Sequence, residues 1–404
     1  MSNVTGAYSL MQAAEWGVDG CLYCYSSFFL LSCGLTNTNI GICMGVASIG
    51  SFFAQILFGE ALNRQGRSGL RRFLLAAAGI LLLGNVVLLL PIGRLLAVTL
   101  FLAGCMLLTM FPAFLDAASM YELQRGVPVD FGIGRGTGSL GYAACSALVG
   151  RLLLRFGIPS IFCTGAALST VLIGGILWFF AAADQQIGDD YFLEVLTQEK
   201  KEFRSNGLNF TFLTAYPRYT VLLTGCVLLM MGHTYTSNFL YQIISHKGGD
   251  EGGMGLAAAI AACAEVPVLF LFGRISHRLR CDQWLKLSAL LLILKMALGY
   301  WAAGTSSFLF SELFQSGYAL YVVSSVYYTG AVIPHGDVIN GQAYLHAAST
   351  LGVLLSLLTG GAILDYFGVQ SLLFTGVIAL VIGTVITFLG AEPVRLSHTK
   401  EHGG

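Results

Sequence analysis

Gly150–Gly165 (GRLLLRFGIPSIFCTG) and Gly361–Gly376 (GAILDYFGVQSLLFTG) are one stretch written twice, with seven identities at a constant offset of 211. A second echo sets Phe58-Gly59 and Arg64 against Phe272-Gly273 and Arg278, at an offset of 214. Both lie at the edges of long apolar segments. The chain therefore reads as two related halves in one polypeptide.

Composition places those halves in a membrane. Apolar residues make up 56% of the chain and charged residues 10%, with a mean hydropathy of +0.75; a soluble domain carries about 25% charged residues. A bilayer crossing takes roughly 20 apolar residues, and twelve segments qualify. They fall near 8–32, 39–61, 73–93, 95–121, 133–155, 159–182, 217–242, 254–274, 283–303, 306–330, 340–363 and 369–391. The expected fold is all-α, with twelve transmembrane helices in two pseudo-symmetric six-helix bundles, residues 1–183 and 217–404. Duplicated membrane halves of this kind are the design of many secondary transporters.

Charge sets the topology. With both termini cytoplasmic, the inner connections and tail hold Arg64, Arg67, Arg71, Arg72, Arg125, Lys200, Lys201, Arg204, Arg218, Arg274, Arg278, Arg280, Lys286, Arg395 and Lys400. The outer side keeps Arg94, Arg151, Arg155 and Lys247, so basic residues collect inside. The charged connection 184–216 reads as a cytoplasmic tether between the halves. Met1–Ala7 lacks a basic region, so no cleavable signal peptide is expected. Zero net charge and the lack of a basic stripe argue against nucleic acid. The ten cysteines read as small packing residues, not a disulfide framework or zinc site, and no metal or cofactor is expected. No nucleophile–base pair or phosphate loop suggests an enzyme. GIGRGTG at 132–138 opens a membrane helix and lacks the strand–turn–helix setting of a dinucleotide loop.

Asp130–Gly150 (DFGIGRGTGSLGYAACSALVG) and Ile40–Arg67 (IGICMGVASIGSFFAQILFGEALNRQGR) carry a resemblance. The first resembles the fifth-helix signature, and the second the second helix and cytoplasmic loop, of the lactose permease branch of the major facilitator superfamily. Ala264-Glu265-Val266-Pro267 extends the likeness into the eighth segment. It implies proton-coupled uptake of a small polar solute, such as a sugar or glycoside, by a monomer in a bacterial cytoplasmic membrane. Gly59, Asn63, Arg64, Gly66 and Arg67 then form a cytoplasmic gate, with Asn63 where the family carries an acid and Glu60 as a substitute anion.

Ionisable residues at membrane depth are costly and usually paired or functional. Here they are Glu15, Asp19, Asp116, Arg135, His233, Glu265, Lys295 and Glu312. The resemblance assigns Asp116 and Arg135 to sugar hydroxyls and Tyr142 to stacking on the ring. It also implies a polar cavity position for Gln55. A guanidinium fork and a carboxylate suit vicinal hydroxyls, although a plain salt bridge between the two is the alternative. Glu265 and Lys295 are read as a pair that exchanges partners on protonation, or as a fixed ion pair. The family's tenth-helix Lys-x-x-His-x-x-Glu face is replaced by Glu312-x-x-Gln315-x-x-Tyr318, so its proton relay does not carry over. Glu312, Glu265 and the Glu15/Asp19 pair are the coupling candidates. His233 is read as a substrate donor, a proton carrier or a packed histidine, and Trp16 and Tyr235 as aromatic walls. His346, 211 residues beyond Arg135, is its symmetric counterpart. Rival readings are an exporter of drug-like or metabolic compounds and a non-transporting sensor on the same fold.

Overall fold

The computed structural model describes residues 3–186, 211–334 and 337–394. Most of the tether at 184–216 lies outside them, as do Arg395, Lys400 and the side chains of Glu60 and Asn63. Each of the twelve apolar segments is helical. In chain order the helices are α1 (Asn3–Leu22), α2 (Ser26–Ser32), α3 (Asn37–Leu88), α4 (Arg94–Gln124), α5 (Phe131–Phe156), α6 (Pro159–Gln186) and α7 (Thr211–Ala215). They continue as α8 (Pro217–Asn238), α9 (Leu240–His246), α10 (Glu251–Ile275), α11 (Cys281–Trp301), α12 (Thr305–Glu312), α13 (Ser316–Val332) and α14 (Val338–Gly390).

Two of these are hairpins of helices. α3 turns at Gly66 (φ 61°) and α14 at Gly368 (φ 78°). Gly157, between α5 and α6, has φ 70°, a left-handed value that glycine adopts without steric cost. Gly157 and Gly368 are 211 residues apart, so the sequence echo is one helix–glycine–helix reversal built twice.

Three segments break where their polar residues sit. α1 stops at a turn over 23–25, where the N–H groups of Tyr23 and Cys24 both donate to the Asp19 carbonyl. α8 breaks at Phe239 before α9. α12 and α13 are joined by a tight 3-10 turn, Leu313–Gln315, next to Glu312. Interrupted helices are tolerated at membrane depth only where protein or a cavity covers the freed backbone. The breaks therefore mark interior positions. The outward faces are apolar instead: Leu57, Ile80, Leu83, Leu95 and Leu389 are all exposed.

The described residues form two compact units. One comprises Met1–Ser205 with Gly249–Cys263, so the first part of α10 groups with it; the other comprises Asn206–Gly248 with Ala264–Gly404. In the first unit α1 packs on α5 and α6. A Cβ on Gly134 would meet the Tyr8 ring at 2.2 Å, one on Gly138 would meet Trp16 at 2.6 Å, and one on Gly141 the Ala13 carbonyl oxygen at 2.3 Å. The glycine face of α5 thus serves close helix contact. The second unit repeats the plan, with α8 held between both halves of α14. There a Cβ on Gly352 would meet the Val227 carbonyl oxygen at 2.5 Å.

Because its obstruction is backbone, Gly141→Ala is expected to cost about 1–3 kcal/mol of stability, the usual range for overpacking. Gly79 has open space around it, and Gly79→Ala is expected to be neutral or slightly stabilising. Unfolding of both variants in detergent checks the contrast; equal stabilities would refute the packing account.

Candidate functional site

In the first unit the site grows from one face of α1. Tyr8, Gln12, Glu15 and Asp19 recur at spacings of four, three and four, which stacks them on one side of a helix. The Gln12 amide donates to Asp116 Oδ1 at 3.0 Å and to the Tyr8 hydroxyl at 2.8 Å. Tyr8 donates to the same Oδ1 at 3.1 Å. Asp116 of α4 is therefore held by two neutral donors from α1.

Arg135 of α5 is placed differently. Its guanidinium lies over the Trp16 ring, 4.0 Å from the centroid, a cation–π arrangement. Trp16 is steadied by its own N–H, which donates to Gln12 Oε1 at 3.2 Å. Two turns further along α5, Tyr142 meets Trp16 edge-on, with centroids 6.5 Å apart. Nη1 of Arg135 is buried with no hydrogen-bond partner. Among the described residues Asp116 and Arg135 make no ion pair within 4.0 Å, although each lies in the other's field. The plain salt bridge between them is thus not what forms. What forms is a guanidinium stacked on an indole, and a carboxylate linked to that indole through Gln12. Glu15 completes the group at 1% exposure.

The second unit builds a chain of polar groups. Lys295 Nζ pairs with Glu312 Oε2 at 2.8 Å, both side chains being about 5% exposed or less. Lys295 also donates to the side-chain Oε1 of Gln315, whose Nε2 donates to Glu265 Oε1 at 2.9 Å. The expected Glu265–Lys295 pair is therefore corrected: Lys295 takes Glu312, and Gln315 bridges to Glu265. Tyr318 stacks on the buried His233 with centroids 4.6 Å apart. Glu312, Gln315 and Tyr318, the residues at the altered tenth-helix positions, all join this cluster. Gln55 donates to the Thr109 carbonyl and the Ser51 hydroxyl, tying α3 to α4, and His346 is exposed. Tyr235 is buried and shares a hydrogen bond with Thr359.

The α3 turn has an anion in Glu122 of α4, while the side chains of Asn63 and Glu60 lie outside the described residues. Arg67 donates to the fully buried Glu122, which also takes Arg125 at 2.9 Å. Arg67 reaches Asp184 at 2.7 Å and the Phe180 carbonyl at 3.1 Å as well. This latches the turn to the ends of α4 and α6. In the second unit the buried Asp282 holds Arg280 and Lys286 in the same manner. Gly59 has open space around it, and Arg64 is exposed. Sequence reading passed over Tyr8, Gln12 and Glu122; the i, i+4 spacing of Tyr8 and Gln12 ahead of Glu15 was the available signal. It also passed over Cys21-Leu22-Tyr23-Cys24, whose two thiols are free and buried. Among the described residues no group of three or more His, Cys, Asp or Glu is placed to hold a metal.

Paired helical units with buried charges and apolar outer faces define a multi-pass membrane transporter of the major facilitator type. A family model described as the MFS_1 like family matches residues 11–375, and the chain belongs to that family. No curated protein matches it in sequence. Among solved structures the nucleoside transporter NupG is similar, with a TM-score of 0.75 at 16% identity over 96% of this chain and 98% of that one. A mutant of NupG gives 0.76 at 15% identity over the same shares of the two chains. A mutant of the peptide transporter POT gives 0.65 at 11% identity, over 95% of this chain and 93% of that one. Identities this low speak for the fold alone.

Breaking a buried ion pair by removing one partner costs about 3–5 kcal/mol, because a charge is stranded, whereas removing both partners costs much less. Lys295→Met is accordingly expected to destabilise the protein by that amount, and Lys295→Met with Glu312→Gln by less. A double-mutant cycle of unfolding in detergent measures this; additive losses would show that the pair does not act as a unit.

Proposed function

We propose that this protein is a proton-coupled secondary transporter that takes up a small hydroxylated solute, such as a sugar or glycoside, by alternating access. The observation that carries this reading is the Asp116–Trp16–Arg135 group. An indole face, a guanidinium with an unpartnered nitrogen and a positioned carboxylate stand together in one bundle. A sugar ring offers an apolar face to an aromatic and vicinal hydroxyls to charged groups, and sites for small ligands combine such surfaces. In this reading Asp116 and Arg135 hold hydroxyls. Trp16 and Tyr142 hold the ring, and Gln55 and His233 supply secondary contacts. Nucleosides, which NupG is named for, carry vicinal hydroxyls on their ribose and fall in the same chemical class.

Coupling is assigned to the interior charges Glu265, Lys295, Glu312, Glu15 and Asp19. The turn Gly59–Arg67, including Asn63, Arg64 and Gly66, closes the cytoplasmic side, with Glu122 as its anion. Both termini and the 184–216 tether lie in the cytoplasm, following the arginine and lysine count. The lactose permease branch, a bacterial cytoplasmic membrane and a monomeric carrier complete the reading. Residues 1–183 and 217–404 act as its two bundles.

A thermal-shift screen of the purified protein against lactose, a glucoside, uridine and a lipophilic amine tests it. A hydroxylated solute is expected to raise the unfolding midpoint, and the rise is expected to vanish in Arg135→Ala. Stabilisation by the amine alone, indifferent to Arg135, would overturn this reading in favour of an exporter.

A further inference from the structure

Four acids in the described residues are almost wholly buried, and three of them have a cation. Glu122 takes Arg67 and Arg125, Asp282 takes Arg280 and Lys286, and Glu312 takes Lys295. The fourth is Glu15, 1% exposed. It makes no ion pair, and its Oε2 is buried with no hydrogen-bond partner. The charged groups facing it are Asp19 on its own helix, Asp116 from α4 and Arg135 from α5; α6, also packed on α1, presents none. An ionised Glu15 would be the third carboxylate around one guanidinium, and that guanidinium is stacked on Trp16 instead. Burying a carboxylate on such terms is strongly unfavourable.

Among the buried polar atoms without partners, which include one oxygen of the cation-paired Glu312, two are complementary. Glu15 Oε2 and Arg135 Nη1 both lack partners inside the same unit, close enough to feel each other yet not paired. We propose that Glu15 carries the exchangeable proton of the transport cycle, and that Arg135 is its switch. With Arg135 on Trp16, Glu15 is the neutral acid. When Arg135 leaves the indole, the O–H bond at Glu15 breaks, the proton passes to solvent, and the carboxylate pairs with the freed guanidinium. Reprotonation releases Arg135 back to Trp16. A solute ring that occupies the Trp16 face displaces Arg135, and so links binding to proton release. The inference rests on the transport reading for its purpose. It narrows the coupling group to Glu15, since Lys295 already neutralises Glu312, Gln315 already engages Glu265, and Asp19 is only partly buried.

Infrared difference spectroscopy of the protein in lipid nanodiscs tests it without any transported solute. A protonated-carboxyl C=O band is expected at neutral pH, lost in Glu15→Gln and kept in Glu312→Gln. Since the amide imitates the neutral acid, Glu15→Gln is also expected to leave the unfolding midpoint unchanged. On raising the pH, the wild-type band should disappear together with a change in Trp16 fluorescence, read in a Trp178→Phe, Trp284→Phe, Trp301→Phe background. Should Glu15→Gln not be recovered folded, Arg135→Met decides: with no guanidinium to answer it, the band should survive the alkaline range that discharges it in wild type. A band that persists in Glu15→Gln, that is lost in Glu312→Gln, or that ignores Arg135→Met overturns the proposal. A failed solute screen, by contrast, strikes only the transport reading.

Discussion

A charge sealed among apolar helices must find an opposite charge, a set of donors or a proton, because the surroundings solvate it too poorly to leave it alone. The interior of this protein is arranged around that constraint. Glu122 and Asp282 are each surrounded by two cations near the ends of helices, where they latch the connections. Glu312 has one cation and sits beside a tightened turn. Asp116 relies on neutral donors, and Glu15 has neither cation nor donor at Oε2. The series runs from fully neutralised acids at the latches to an uncompensated one beside Arg135. Structural and exchangeable charges separate along it.

Close helix contact makes this placement accurate. Glycines on α5 bring the backbone of α1 near enough that Tyr8, Trp16 and Ala13 occupy the space where side chains would stand. The α1 face is thereby held against α4 and α5 at a single rotation, and Gln12 can reach Tyr8 and Asp116 at once. Packing between α8 and α14 does the same in the second unit, and there the polar groups lie on α10, α11, α12 and α13. The duplicated scaffold is therefore shared in plan and divergent in content. Tyr8 and Tyr219 stand 211 residues apart and are both buried, but Tyr8 serves a carboxylate while Tyr219 bonds Thr329 and the Gly341 carbonyl.

Much of the site was legible because cost is legible. Glu15, Asp19, Asp116, Arg135, Lys295 and Glu312 stand out in apolar segments whatever the segments pack against. Partners are another matter. Lys295 had two acids within reach of its helix, and the family likeness favoured Glu265; the turn at Leu313–Gln315 brought Glu312 to it and left Gln315 as the bridge. The Asp116–Arg135 pair failed to close for a similar reason. Trp16 lies where it captures the guanidinium, and a tryptophan beside an acid on α1 gives no hint of which helix it will meet. Glu122 was missed because it sits at the edge of its segment, where an acid costs little until a neighbouring turn buries it.

The amino-acid sequence alone determined the membrane class, the twelve helical segments, the duplication and the short roster of interior charges. Each of these follows from the local free energy of placing a residue in a low-dielectric slab, or from an echo within the chain. Only the tertiary structure decided which charges neutralise one another, which glycines meet backbone, and which acid is left without a partner. Those outcomes depend on the rotation of each helix about its axis, and in helices apolar on most sides that rotation is set by contacts between residues distant in sequence.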